Sequence, residues 1–259
     1  MDILLTNDDG IEGTGLRVLY DALSAVGDVL VVAPAEDQSA VGRVRSSEVT
    51  VEERDIGYAL TGTPVDCVIA GLEAIGPYPD LVVAGCNEGA NLGEYVLGRS
   101  GTVSAAVEAA FFGVPAMAVS LYVPIGMGKW FGDEAVEPDD YEEAVRATTY
   151  LVEHALDAGV FEQAEYLNVN APMPGGERAP LEITRPSHGQ AMTAEQDGEG
   201  RITLRDRIWE RMKEGDVDDP PGTDRRAVLD GKVSVSPLTA PHTTEQHGAL
   251  DALAETYPG

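Results

Sequence analysis

The chain opens on MDILLTNDDGI, a short apolar run that stops at two adjacent carboxylates and a glycine. Ile3, Leu4 and Leu5 are too few for a helix and continuously apolar, the pattern of a strand covered on both faces in a parallel sheet. Asp8 and Asp9 follow where that strand ends. In open α/β sheets ligands bind beyond the carboxyl ends of the strands, so such a fold would deliver both acids to a site. Neighbouring carboxylates repel, and the pair calls for a proton or a cation between them; a hard divalent ion meets that need. Asp and Gly are also ordinary turn residues, so a solvated turn is the alternative reading of the pair taken alone.

The segments that follow repeat the strand-then-loop arrangement. Leu16, Leu19, Tyr20, Leu23 and Val26 recur at helical spacing up to Gly27, and Val29 to Ala33 reads as a second strand stopped by Pro34. This is the strand, helix, strand unit from which parallel sheets are built. The polar loop from Ala35 to Ser47, with Ser39, leaves the second strand's end and should hang over the same crevice as Asp8. Val49 to Val51 and Tyr58 to Leu60 read as short strands. Thr63 can cap a helix whose first residue is Pro64 and which runs to about Ile75. Asp80 to Gly85 is a buried strand that empties into Cys86-Asn87-Glu88-Gly89-Ala90-Asn91-Leu92-Gly93, where two side-chain amides can act as ligand or donor. Ser100-Gly101-Thr102 opens a helix to about Phe112; its start is either an anion site or a terminus capped by Ser100 or Thr102. A strand at Pro115 to Leu121, a helix at Asp139 to Leu156 and a strand at Tyr166 to Asn170 complete the pattern.

The expected fold is α/β, a Rossmann-like three-layer αβα core with a mostly parallel sheet over residues 1–178. Beyond a Gly/Pro cluster at Met173 to Pro180 the texture changes. Leu181 to Thr184, Ile202 to Ile208 and Lys232 to Val235 read as protruding hairpins, so residues 179–259 form a C-terminal β-hairpin extension suited to oligomerisation. Thr243 to Leu253 reads as one short helix.

Charge narrows the partners. Forty-five acidic residues against 17 basic ones leave a formal net charge of −28, and the lysines are only Lys129, Lys213 and Lys232. Such a surface suits high salt, where screening suppresses self-repulsion. It disfavours duplex nucleic acid and anionic membranes as partners. An anionic substrate would have to be drawn in by a bound metal or by helix N-termini. Cys67 and Cys86 are too few for a disulfide framework or a zinc cage and are expected as buried free thiols. No run of about 18 apolar residues marks a membrane span, and the N-terminus enters a strand at once without a signal peptide, which points to the cytoplasm.

Asp8-Asp9, Ser39, Gly62-Thr63 and Asn87 through Thr102 all leave strand ends on what should be one edge of the sheet. Two carboxylates, a hydroxyl and an amide oxygen suit Mg2+, Mn2+ or Ca2+ rather than zinc. Beside an anion-ready helix start, such an ion implies phosphoryl hydrolysis or transfer.

LLTNDDGI, GTPVDCV, AGCNEGAN, RSGTVSAAVE and the late VSVSPL together resemble the SurE family of survival-protein nucleotidases, most strongly from Met1 to about Leu121, with NVNAP at Asn168 to Pro172 and TDRRAV from Thr223 as further matches. The resemblance implies a 5′-nucleotidase, a phosphoric monoester hydrolase that uses one divalent metal ion, Mg2+ or Mn2+. Its substrates would be nucleoside 5′- and 3′-monophosphates, and its assembly a homodimer or homotetramer. Carried over by motif, the metal ligands fall on Asp8, Asp9, Ser39 and Asn87. Asp8 would also orient or deprotonate the attacking water, Asn91 and Ser100-Gly101-Thr102 would contact phosphate, and Gly62 and Thr63 would lie near the nucleoside, although helix capping explains Thr63 equally well. The chain departs from the family pattern around Ser39, in DQSAVGRVRS, and at Arg99, where an aromatic is usual; Arg99 could serve as a phosphate contact or a surface charge.

Two other classes compete. A haloacid-dehalogenase-like phosphatase would need a nucleophilic aspartate at position 7, where Asn7 stands. A non-catalytic nucleotide sensor on the same fold is the alternative function; a dinucleotide binder would want G-x-G-x-x-G after the first strand, which NDDGIEG does not supply.

Overall fold

A computed structural model of the chain describes residues 1–128, 135–198 and 200–240. Its centre is a nine-stranded sheet in the order β3-β4-β2-β1-β5-β6-β7-β11-β8. The six inner strands β4 (Gly57–Leu60), β2 (Asp28–Pro34), β1 (Asp2–Thr6), β5 (Leu81–Glu88), β6 (Ala116–Tyr122) and β7 (Tyr166–Pro172) run parallel. The outer strands β3 (Val51–Arg54) and β11 (Val233–Leu238) are antiparallel to their inner neighbours. β8 (Leu181–Ile183) then pairs parallel to β11 at the edge.

Helices cover both faces, because successive side chains of each buried strand point opposite ways. Ile3 and Leu5 join Leu16, Leu19 and Leu23 of α1 (Thr14–Leu23) and Ala144, Ala147 and Val152 of α5 (Glu142–His154) in one core. Leu4, between them, joins Val68 of α2 (Pro64–Ala70) and Val103, Ala106 and Ala109 of α4 (Gly101–Phe111) in the other. The continuous apolar run at the N-terminus is thus divided residue by residue between two layers. A short α3 (Glu94–Leu97) lies between β5 and α4.

The region beyond residue 178 departs from the expectation of hairpins alone. Leu181–Ile183 and Val233–Leu238 extend the main sheet. β11 runs antiparallel to β7 and parallel to β8, which adds both strands at the edge of the inner parallel set. The separate two-stranded sheet is β9 (Met192–Gln196) with β10 (Ile202–Asp206). Ile208, expected as strand, starts α6 (Ile208–Glu214), and α7 (Asp224–Leu229) precedes β11. Ile208 and Met212, one turn apart, pack with Ala90, Leu92 and Val228 in a third apolar cluster. The helix expected at Thr243 to Leu253 lies outside the described residues.

Cys67 and Cys86 are both free and buried, as expected. Burial pushes each thiol well above its usual range, with Asp66 adding to the effect at Cys67 and Asp9 at Cys86. Among the described residues no helix is long and apolar enough to cross a membrane.

Candidate active site

The chain winds from β1 outward to β2 on one side and returns to β5 on the other, so the carboxyl ends of β1 and β5 form the switch point of the sheet. There the structure opens a cavity of about 320 Å3 lined by, among others, Asp8, Ser39, Asn87, Asn91, Arg99 and Ser100. Residues from five separate stretches of sequence therefore share one space.

Asp8 is fixed from the far side of that space. It is buried, and both of its carboxylate oxygens accept hydrogen bonds from Thr102: the hydroxyl donates to Oδ1 at 2.6 Å and the backbone N–H to Oδ2 at 3.1 Å. The α4 N-terminus thus has an anion already, and it is the Asp8 carboxylate. Gly101 makes the approach feasible, since a Cβ there would come within 2.8 Å of the Asp8 Cβ. Ser100 caps the same helix, its Oγ accepting from Val103 N at 3.0 Å. Thr102 and Gly101 hold Asp8 and do not line the cavity, whereas Ser100 does.

Asp9 points to the other neighbour. Its Oδ2 accepts from Glu88 N at 3.0 Å, which ties the β1 end to the β5 end. Burial, with the nearby charges of Glu88 and Asp9 among the lesser causes, holds the Tyr141 phenol far above its usual range. Asp9 is not among the cavity-lining residues but follows directly on Asp8.

Ser39 is placed by its loop. Gln38 N donates to the Asp8 carbonyl at 2.7 Å and Ser39 N to Asp37 Oδ1 at 2.7 Å. Ala40 takes a left-handed φ of 59°, a strain of about 1 kcal/mol for a residue with a Cβ. The base of this loop is fastened by the segment expected near the nucleoside. Thr63 Oγ1 donates to the Val44 carbonyl at 2.7 Å, and Asp66 Oδ1 accepts from Ser46 N at 2.8 Å. Thr63 and Asp66 also form the reciprocal cap of α2. Gly62 packs against Val49 and Asp66. Neither Gly62 nor Thr63 lines the cavity.

Asn91 is held by four hydrogen bonds. Its N–H donates to Asn170 Oδ1 at 2.8 Å, and its carbonyl accepts from Asn168 Nδ2 at 2.9 Å and Asn170 Nδ2 at 3.1 Å. Its side-chain Nδ2 donates to Ser120 Oγ at 2.9 Å. All three partners are buried on β6 and β7. At the start of α7, Asp224 Oδ2 accepts from Gly93 N at 2.7 Å and its Oδ1 from Ser187 N at 2.8 Å, so the TDRRAV segment secures the other end of the same loop. Arg99, at the cavity, lies over the Tyr95 ring at 3.7 Å. Asn7 faces inward, its Nδ2 bonded to the Gly10 carbonyl at 2.8 Å, and supplies no nucleophile.

The site also uses residues to which the sequence pattern assigns no role: Asn168 and Asn170 within NVNAP, Asp224 within TDRRAV, and Trp209. Asn168 and Asn170 could have been singled out as polar side chains two apart in an otherwise apolar strand, hence on one buried face. Asp224 falls in TDRRAV, a match to the family pattern that by itself names no partner for the carboxylate. Trp209, which lines the cavity from α6, was hidden because the strand expected at Ile202 to Ile208 ended just before it.

Among the described residues no three His, Cys, Asp or Glu side chains gather as a metal site. A cation here would need the Ser39 hydroxyl and the Asn87 amide oxygen as well as the carboxylates. That donor set, all oxygen and doubly anionic, fits a hard divalent ion.

Fold and cavity define a Rossmann-like α/β protein with a site at the switch point of its sheet where Asp8, Ser39, Asn87 and Asn91 meet apolar neighbours. The family model described as "Survival protein SurE" matches residues 3–193, and the chain belongs to the SurE family. The protein named "5′-nucleotidase SurE" from Haloarcula marismortui is 68% identical over 255 residues, covering 98% of this chain and 94% of that protein. Its namesake from Haloquadratum walsbyi is 62% identical over 257 residues, covering 99% and 97%. Both come from haloarchaea, and the charge of −28 marks this chain as a salt-adapted member of the family. The SurE protein of Aquifex aeolicus has the same fold, with a TM-score of 0.76 at 31% identity and 99% of each chain covered.

Proposed function

We propose that the chain is a 5′-nucleotidase that hydrolyses nucleoside 5′-monophosphates, and 3′-monophosphates, to nucleoside and phosphate. One divalent ion, Mg2+ or Mn2+, would be held by Asp8, Asp9, Ser39 and Asn87. When bound, it would supply polarisation of the phosphoryl oxygens and a bound water of lowered pKa. The observation that carries this reading is the convergence of Asp8, Ser39, Asn87 and Asn91 on one cavity. The nucleotidase names of relatives at 62–68% identity support the same conclusion.

Each residue then has a task. Asp8, anchored by Thr102, orients the attacking water and takes its proton. The water oxygen bonds to phosphorus, the ester P–O bond breaks, and the sugar oxygen leaves to be protonated as the nucleoside hydroxyl. Asn91 gives one side-chain N–H to Ser120 and has a second for a phosphoryl oxygen. Because the loop that carries Asn91 is bonded into β6 and β7 beforehand, little reorganisation is needed as charge develops. Assembly as a homodimer or homotetramer in the cytoplasm belongs to this reading; exposed Ile183, Ile202 and Leu204 on β8 and β10 are apolar surface that assembly would cover.

The test is phosphate release from a panel of nucleoside 5′- and 3′-monophosphates at high KCl with Mn2+ or Mg2+, before and after EDTA. Release that stops on chelation is expected. Tight nucleotide binding with no phosphate produced would make the protein a sensor instead.

A further inference from the structure

The cavity has more in its lining than phosphate chemistry uses. Trp209 lines it with Val96 and Arg99, although Trp209 belongs to α6, far along the chain from every other lining residue. α6 is not loosely attached. Ile208 and Met212 are buried on either side of Trp209 in sequence and pack on Ala90 and Leu92, the loop that also carries Asn91. Ile208 N donates to Asp206 Oδ1 at 3.0 Å and Arg207 N to the Ala191 carbonyl at 3.1 Å, so the chain on both sides of the hairpin holds the helix start. The indole is therefore fixed at the cavity by neighbours that pack on the candidate catalytic loop itself.

A phosphate has no use for an indole; a flat heteroaromatic ring does. We propose that Trp209 is the platform on which the base of the nucleotide stacks, and that it sets the choice of nucleoside monophosphates over sugar phosphates that lack a base. This rests on the phosphatase reading above. Every base offers a π-face, so a stacking platform admits purines and pyrimidines alike and discriminates chiefly between presence and absence of the base. The hairpin and α6 would thus complete the substrate site.

The experiment compares AMP with ribose 5-phosphate on the full chain, wild type, Trp209→Ala and Trp209→Phe, at high KCl with Mn2+. The readout is the ratio of kcat/KM for the two substrates. Wild type should prefer AMP, Trp209→Ala should lose that preference by roughly ten-fold or more through KM, and Trp209→Phe should keep most of it. Equal losses on both substrates, or an unchanged ratio, would overturn the proposal. Calorimetric titration of AMP and ribose 5-phosphate onto the same proteins separates the two levels of inference. Absent turnover in wild type would sink the hydrolase reading, while a preference for binding AMP that disappears in Trp209→Ala would still uphold the stacking role, and no such preference would overturn it.

Discussion

Thr102 donates both its hydroxyl and its backbone N–H to the carboxylate of Asp8, one to each oxygen, across 94 residues of sequence. The bond spans the gap between the end of β1 and the start of α4. It fixes the orientation of the Asp8 carboxylate beside the cavity.

Thr102→Val keeps the backbone bond and removes the hydroxyl. A hydrogen bond to a buried charge is worth about 1.5–3 kcal/mol, so kcat should fall by roughly ten-fold to a hundred-fold with KM less affected. Thr102→Ser should restore most of the activity. A Thr102→Val enzyme with wild-type kcat would show that the orientation of Asp8 does not matter to the reaction.

Asn170 both donates to and accepts from the backbone of Asn91. Asn170→Asp preserves the acceptor but sets a carboxylate oxygen against the Asn91 carbonyl. It should cost about 1–3 kcal/mol of stability in denaturant titration and lower kcat at least as much as Asn170→Ala. Indifference of kcat to both changes would separate Asn91 from the chemistry.

Asp66 links the cap of α2 to the Ser39 loop, and its ionisation is coupled to stability. Burial alone would raise its pKa, but hydrogen bonds from Thr63 and Ser46 outweigh burial and leave it below the ordinary 3.8. A depressed folded-state value means the contribution is complete above the unfolded value and is lost as pH falls through the folded one. Acid titration of stability should therefore show a loss of about 1 kcal/mol below pH ~4 that is missing in Asp66→Asn. Parallel acid profiles for the two proteins would contradict it.

Much of this architecture can be read from local pattern. Ile3-Leu4-Leu5 reads as a strand buried on both faces, and Thr63-Pro64 and Ser100 read as helix starts, because burial and capping leave their marks within a few residues. The convergence of Asp8, Ser39, Asn87 and Asn91 follows from the rule that parallel strands release their loops at one edge. What lay beyond the sequence depends on long-range pairing. Thr102 reads as a helix cap or as a phosphate contact, and only its distance to Asp8 reveals what its hydroxyl holds. The reversal of β11 against β7, which draws Leu181–Ile183 into the main sheet, has no local signature either. Trp209 reaches the cavity through the packing of Ile208 and Met212 on Ala90 and Leu92, a tertiary contact with nothing in the neighbouring residues to announce it.

Oxygens from separate strand ends are proposed to hold one divalent ion. Calorimetric or EPR titration of Mn2+ onto the metal-stripped protein at high KCl, beside the variants Asp8→Asn and Asn87→Ala, tests it most directly. One ion per chain in the wild type, weakened at least ten-fold in each variant while circular dichroism is unchanged, is the expected result. Mn2+ binding that is absent from the wild type, or equally tight in all three proteins, would contradict the account.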